Sequence, residues 1–330
     1  MMKKYLFLFG AAVLFAACQN LSKQEPVKLI FDTDMAPDYD DVGALAILHA
    51  MADSGEVEIL AAGSSNKCEA CVPCIDVLNT YFGRPNIPLG AVKGDAPDLD
   101  AWHQGLRWTV ELPKRYPHKI AKTSDAEDVV AVYRRALSAA PDTSVTIVTV
   151  GFFSGIRDLL QSSADAISPM NGKDLIKAKV KRMVSMAGLF PEGAEFNVIK
   201  DSLASRYVFE NWPTPIWLSG FEIGKKILTG KRVAASDMQN SPVKDVYEMT
   251  LAQDNPEGRQ SWDQTAVLVA VRGCNDYFDM ERGTMIVLPN GHNRWEKSDT
   301  GNHYRLLEKM PVPQLTKVIE DMMMHQPIKK

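Results

Sequence analysis

The sequence has no excess of positive charge: 37 Lys and Arg stand against 41 Asp and Glu, a formal charge of −4. A polyanion finds no basic field to hold it, so the composition excludes nucleic-acid binding as the main task. Five cysteines in 330 residues are too few for a dense disulfide scaffold. No apolar run reaches the roughly 20 residues that a membrane-spanning helix requires. Internal repeats and long Gly/Ser linkers are also missing, so nothing marks a domain boundary. What remains is 45% apolar and 24% charged residues, the balance of a chain that buries a sizeable core. Length alone permits one large domain or two.

The N-terminus departs from this picture. Lys3 and Lys4 precede thirteen apolar or Gly residues, Tyr5 to Ala17, which fits the apolar region of a secretory signal. The run stops at Phe15-Ala16-Ala17-Cys18, which resembles the lipobox of bacterial lipoproteins. The resemblance implies a signal peptide over residues 1–17 and a lipid on Cys18. It further implies a tether over 18–26 and a folded domain over 27–330. A plain signal peptide with an incidental Cys is the other reading. Gln19 is not the Asp that often signals inner-membrane retention, so the expected location is exported, lipid-anchored and on the outer membrane, facing either the periplasm or the outside.

Beyond the tether, β-rich apolar runs alternate with helical spacing. Strands are expected at Val27–Thr33, Val57–Ala62, Ile87–Val92, Val145–Val150, Arg182–Met186 and Ile216–Leu218. Helices are expected at Val42–Met51, Ile75–Phe82 and Asp125–Ala139, the last capped by Thr123 or Ser124. Such alternation predicts a single α/β domain with a mostly parallel, Rossmann-like central sheet flanked by helices. Tyr277–Asp279 and Thr284–Leu288 read as a small C-terminal β-hairpin turning at Glu281-Arg282-Gly283. Gln314–Met324 closes the chain as a helix.

Open α/β sheets bind ligands beyond the carboxyl ends of their strands. The first strand ends in Asp32-Thr33-Asp34-Met35-Ala36-Pro37-Asp38-Tyr39-Asp40-Asp41, five carboxylates in ten residues. One or two acidic residues at a helix start are ordinary capping. Five repel one another unless a cation sits among them. Several oxygen ligands in a flexible arrangement favour Ca²⁺ over Mg²⁺.

Asp32-Thr33-Asp34 followed by Asp40-Asp41 and Ala44-Leu45-Ala46 resembles the N-terminal fingerprint of the inosine-uridine type nucleoside hydrolases. The common pattern has three residues between the two acidic pairs; this chain has five, and Asp38 has no clear counterpart. Further similar motifs follow in order: Gly63-Ser64-Ser65-Asn66, Val150-Gly151-Phe152-Phe153-Ser154-Gly155, Ala194-Glu195-Phe196-Asn197 and Trp262-Asp263.

The resemblance implies calcium-dependent hydrolysis of the N-glycosidic bond of a ribonucleoside. Asp34, Asp41, Asp263 and the Val150 carbonyl would hold Ca²⁺, with Asp34 also the general base. Asp40, Asn66, Glu195 and Asn197 would hold the ribose, and Asp32 would orient the cluster. Trp262 stands where many members have His and the purine-specific branch has a stacking Trp, which leans the expectation toward purines. Trp102 or Trp108 would offer the base a second face, and His103 is a candidate leaving-group acid. Another N-riboside, such as a nicotinamide riboside or a modified nucleoside, is the alternative substrate. A calcium-dependent nucleoside- or sugar-binding lipoprotein without catalysis is the alternative class. A homo-oligomer, dimer or tetramer, is open.

Cys68, Cys71 and Cys74 recur every third residue. No fourth adjacent ligand makes them a metal site, which leaves a disulfide or thiols on one helix face. His49 lies in an apolar stretch and reads as structural.

Overall fold

The computed structural model describes residues 25–102 and 105–328, so Cys18 and His103 lie outside the described residues. Its first strand, β1 (Val27–Thr33), is buried over its last five positions, and its apolar run with Ile and Phe suits a strand covered on both faces. The sequence-predicted strands all form: β2 (Val57–Ser64), β3 (Leu89–Ala91), β5 (Val145–Thr149), β6 (Val180–Met186) and β8 (Ile216–Ser219), with two-residue β4 (Glu127–Asp128) and β7 (Glu192–Gly193) between them. Two further short strands, β9 (Leu228–Thr229) and β10 (Arg259–Gln260), pair with each other alone.

The main sheet runs β4-β3-β2-β1-β5-β6-β8-β13-β11-β12-β7, where β11 is Phe278–Val287, β12 Asn293–Lys297 and β13 His303–Glu308. From β4 to β13 the neighbours are parallel; β11, β12 and β7 extend the sheet antiparallel. After β1 the chain builds outward through β2, β3 and β4, then returns to lay β5 on the other side of β1. The carboxyl ends of β1 and β5 are therefore the topological switch point, where open α/β sheets leave a crevice.

The C-terminal hairpin differs from expectation. Glu281-Arg282-Gly283 is no turn but the middle of β11, whose first half pairs with β13 and whose second half pairs with β12. Gly283 belongs to both registers, opposite Lys297 and His303. A Cβ there would meet the Glu296 carbonyl oxygen at 2.4 Å and the Trp295 ring at 2.5 Å, so the Gly serves close packing where a turn was expected. The turn lies later, where Leu288 N donates to His292 O at 2.7 Å.

The predicted helix from Asp125 begins four residues late, at Val129, and runs to Ala139. Thr123–Asp125 forms a separate 3-10 turn, and the cap is Asp128, whose carboxylate accepts from Val130 N at 2.8 Å. The irregular stretch before it holds an unpredicted helix, Trp108–Arg115, with Trp108 fully buried in the core. Among the described residues no helix is long and apolar enough to cross a membrane. The four described cysteines are free, buried thiols: Cys71 and Cys74 lie on the Cys71–Tyr81 helix and donate to the Asp34 and Thr109 carbonyls.

Losing an N-cap side chain typically costs about 1 kcal/mol. Asp128→Ala should therefore lower unfolding free energy by about that amount in urea titrations. Ser124→Ala, at the position expected from sequence, should cost no more than a few tenths of a kcal/mol.

Candidate active site

Segments that follow β1, β5, β6 and β7 and the starts of two helices converge at the switch point. Asp32 and Asp34 come from the end of β1, and Asp40 and Asp41 open the Asp40–Asp53 helix. Val150 follows β5. Glu195 and Asn197 lie on the segment after β6 and the two-residue β7. Asp263 sits in the first turn of the Trp262–Arg272 helix, which packs against the Asp40–Asp53 helix. Carboxylates at two helix N-termini gain from the helix dipoles, which makes this crowding tolerable to the backbone. Gly151 is required here. A Cβ on it would stand 2.4 Å from Asp34 N and 2.6 Å from Ser65 Oγ, so only Gly lets the loop after β5 lie against the loop after β1.

Together these residues line a cavity of about 220 Å³. Asp34, Asp40, Asp41, Asp263, Glu195, Asn197 and Val150 form one wall; Trp102, Phe196, Phe221 and Trp262 bring aromatic surface. Oxygens of Asp40, Asp41 and Asp263 lie within 4.8 Å of one another and could hold a metal ion. Asp41 Oδ1 accepts from the Thr33 hydroxyl and from Met35 N, whereas its Oδ2 is buried without a hydrogen-bond partner among the described residues. A buried acceptor left unpaired is costly, and a cation is the partner that fits both this oxygen and its acidic neighbours.

Burial, then the neighbouring carboxylates, pushes Asp34, Asp40 and Asp263 well above the usual carboxylate range. Burial raises Asp41 to about 6, held back by Thr33 and the Met35 amide. Burial also raises Glu195 to about 7 against the amides that bind it. Asp32 rises to about 7 for the same reason while accepting from Tyr133 Oη at 2.8 Å and Thr149 Oγ1 at 3.1 Å. Those bonds tie it to the Val129–Ala139 helix and to β5, and it does not line the cavity.

The predicted ribose residues separate. Asp40, Glu195 and Asn197 line the cavity. Glu195 is also the cap of the Phe196–Lys200 helix, accepting from Asn197 N and Val198 N. Asn197 Nδ2 donates to the Val150 carbonyl at 3.1 Å, so the two are coupled. Asn66 is different: it is fully buried and does not line the cavity. Its Nδ2 donates to Asp34 O and Leu99 O, and its Oδ1 accepts from Cys68 N and Leu99 N. An amide spent on four main-chain partners pins the Asp34 loop and has nothing left for a sugar.

Trp262 stacks on Phe221, centroids 5.0 Å apart, and its Nε1 donates to the Phe221 carbonyl. Trp102 is 45% exposed at the cavity edge, whereas Trp108 is 0% exposed, which removes it as a second face for a base. His49 is structural: its Nε2 sits 2.9 Å from Asn79 Oδ1, and burial depresses it to about 3. Sequence reasoning missed Arg259 and Phe221. Arg259 is buried, lines the cavity and contacts Asp38 and Asp40. The only signal was its place three residues before Trp262.

A sequence-family model described as inosine-uridine preferring nucleoside hydrolase matches residues 29–316. The chain belongs to that family. It is a nucleoside hydrolase, and hydrolysis of ribonucleosides is the activity that membership supports. No curated protein matches the chain in sequence. Solved structures share the nucleoside hydrolase fold. The inosine-uridine preferring nucleoside hydrolase of Bacillus anthracis superposes with TM-score 0.68 at 17% identity, over 90% of this chain and 98% of the other. A purine-preferring ribonucleoside hydrolase from Gardnerella vaginalis gives 0.68 at 18% over the same shares. A plant nucleoside hydrolase, PpNRh1, gives 0.67 at 17% over 90% and 99%.

The raised carboxylates set a pH signature. A buried acid whose folded value lies above its unfolded one destabilises the fold as pH rises between the two, and no further beyond. With Asp32 near 7 and Asp41 near 6, against an ordinary 3.8, chelated protein should lose stability as pH rises from about 4 through about 7, and the raised Asp34, Asp40 and Asp263 act in the same direction. A cation needs the ionised carboxylates. Any melting-temperature gain on adding a divalent cation should therefore be larger at pH 8 than at pH 5.5, which thermal melts with and without chelator will read.

Proposed function

We propose that this nucleoside hydrolase is calcium-dependent and prefers purine ribonucleosides. The observation that carries the metal reading is the unpartnered Asp41 Oδ2 beside the Asp40 and Asp263 oxygens. Asp34, Asp41, Asp263 and the Val150 carbonyl would hold the ion, all of them on the cavity wall. Bound Ca²⁺ supplies positive charge that orients a water and lowers its pKa.

The protein's own groups do the rest. Asp34 receives a proton from the attacking water as general base. Asp40, Glu195 and Asn197 accept from or donate to the ribose hydroxyls, and a sugar lacking them leaves buried polar groups unpaired. The same carboxylates stabilise the positive charge that develops on the ribose ring as the glycosidic bond breaks. The base meets the wall of Trp102, Phe196, Phe221 and Trp262. Offset stacking on such rings adds roughly 0.5–1.5 kcal/mol beyond area burial and grows with ring area, which favours purines. Trp262 contributes as half of a stacked pair with Phe221.

Wild-type protein with Ca²⁺ should release hypoxanthine from inosine, with a kcat/KM above that for uridine. Asp34→Ala should lower kcat by about 10³-fold or more without moving the melting temperature downward. Base release followed by chromatography, over a panel that includes nicotinamide riboside, reads both points. Turnover of no riboside at all would overturn the activity; turnover unaffected by chelation would overturn calcium.

The N-terminal lipobox resemblance supports a lipid on Cys18 and an outer-membrane location for the exported domain. Multiple acyl chains anchor far more firmly than one. Cys18→Ser should accordingly move the protein from the membrane fraction to the soluble fraction in its bacterial host, with nucleoside hydrolysis retained.

A further inference from the structure

Among the described residues that line the cavity, Arg259 is the only cation, and it is 4% exposed. Its guanidinium forks over a single oxygen: Nε and Nη2 donate to Asp40 Oδ1 at 3.2 and 3.1 Å. Nη2 also donates to Asp38 Oδ1, and Nη1 stands 3.6 Å from Asp254 Oδ2. Rings of Tyr39, Trp262 and Trp102 surround it, with centroids 5.0, 5.0 and 5.6 Å from Cζ. A planar guanidinium held by three carboxylates and three rings presents its fork in one orientation.

This arrangement bears on a problem created by the crowding. Asp40 and Asp41 are neighbours in sequence, and with Asp263 their oxygens fall within 4.8 Å. Chemically equivalent carboxylates at that spacing have no intrinsic division between cation and sugar. Arg259 hydrogen-bonds to one of them alone: its charge is also felt by Asp263, but its donors go to Asp40 and to neither Asp41 nor Asp263, and they engage the Asp40 oxygen opposite the one that accepts from Asp263 N. Asp38, one of five residues between the two acidic pairs, is what Arg259 braces against.

We propose that Arg259, braced by Asp38, is a positioning residue that clamps the Asp40 carboxylate for the ribose hydroxyls and keeps it from becoming a further cation ligand. This rests on the reading of Asp40 as a ribose residue. The lengthened acidic loop and Arg259 then form one device: the added length carries the brace, and β10 carries the clamp.

The test compares wild type with Arg259→Lys, Arg259→Gln and Asp38→Asn in the full chain with Ca²⁺. The readouts are kcat and KM on inosine and 2′-deoxyinosine, Ca²⁺ affinity, melting temperature and binding of an iminoribitol, a ribose analogue that needs no turnover. Arg259→Gln should lower kcat/KM on inosine by about 100-fold and cut the ribose-over-deoxyribose preference by about tenfold. Lysine keeps the charge but cannot span Asp38 and Asp40 as a fork, so Arg259→Lys should restore less than about a tenth of the loss. Asp38→Asn should shift the same ratio in the same direction, by less. If Arg259→Gln does not fold, the Lys and Asn variants decide.

An unchanged preference in the variants that fold, or full activity of Arg259→Lys, overturns the clamp while leaving the nucleoside hydrolase reading intact. Wild-type protein that neither turns over a ribonucleoside nor binds the iminoribitol overturns the ribose reading itself, and the clamp with it.

Discussion

Mutual repulsion among buried carboxylates is the constraint on which the rest of this structure depends. Two ionised carboxylates about 4 Å apart repel by about 4 kcal/mol at an effective dielectric near 20, and here Asp34, Asp40, Asp41 and Asp263 share one pocket. The protein answers on two sides. Arg259 neutralises the flank at Asp38 and Asp40. On the other flank Asp41 Oδ2 has no hydrogen-bond partner among the described residues, which is what a site shaped for a cation presents. Helix N-termini behind Asp40, Asp41 and Asp263 soften what remains.

The fold serves that concentration of charge. Doubling back across β1 opens a crevice at the ends of β1 and β5, and the loops that rim it are fixed by hydrogen bonds to main chain. Asn66 pins the Asp34 loop, Gly151 lets two loops touch, and Glu195 caps the helix that carries Asn197. Side chains that look from sequence like substrate contacts thus include some whose task is to hold others still. Preorganisation of this kind matters because a catalytic group displaced by 1 Å can lose about 100-fold in rate.

How much was legible follows from the range of the interactions. Six of the parallel strands could be read because each is a local run of β-branched and apolar residues, and β1 appears at the boundaries expected, Val27–Thr33; β4 and β13, also parallel, could not. The late start of the Val129–Ala139 helix could not, because neither expected cap, Thr123 or Ser124, is used: the cap is Asp128, which also pairs with Ala91 of β3, a partner distant in sequence. Glu281-Arg282-Gly283 looked like a turn because charge and Gly often mark one. Its place between two antiparallel partners is a long-range fact. The aspartate cluster was legible as chemistry because its crowding is in the sequence itself.

By itself the sequence determined the α/β architecture, the family motifs from Asp32 to Asp263 and the presence of more negative charge than one strand end can carry unaided. Tertiary structure alone decided how that charge is divided. It removed Trp108 into the core, turned Asn66 inward to the main chain and stacked Trp262 on Phe221. It also brought Arg259 across 219 positions of sequence to Asp40. Local spacing carries the first kind of information because periodicity and crowding are properties of neighbours. Pairing between distant groups depends on where the completed sheet delivers them, and no stretch of the chain holds that by itself.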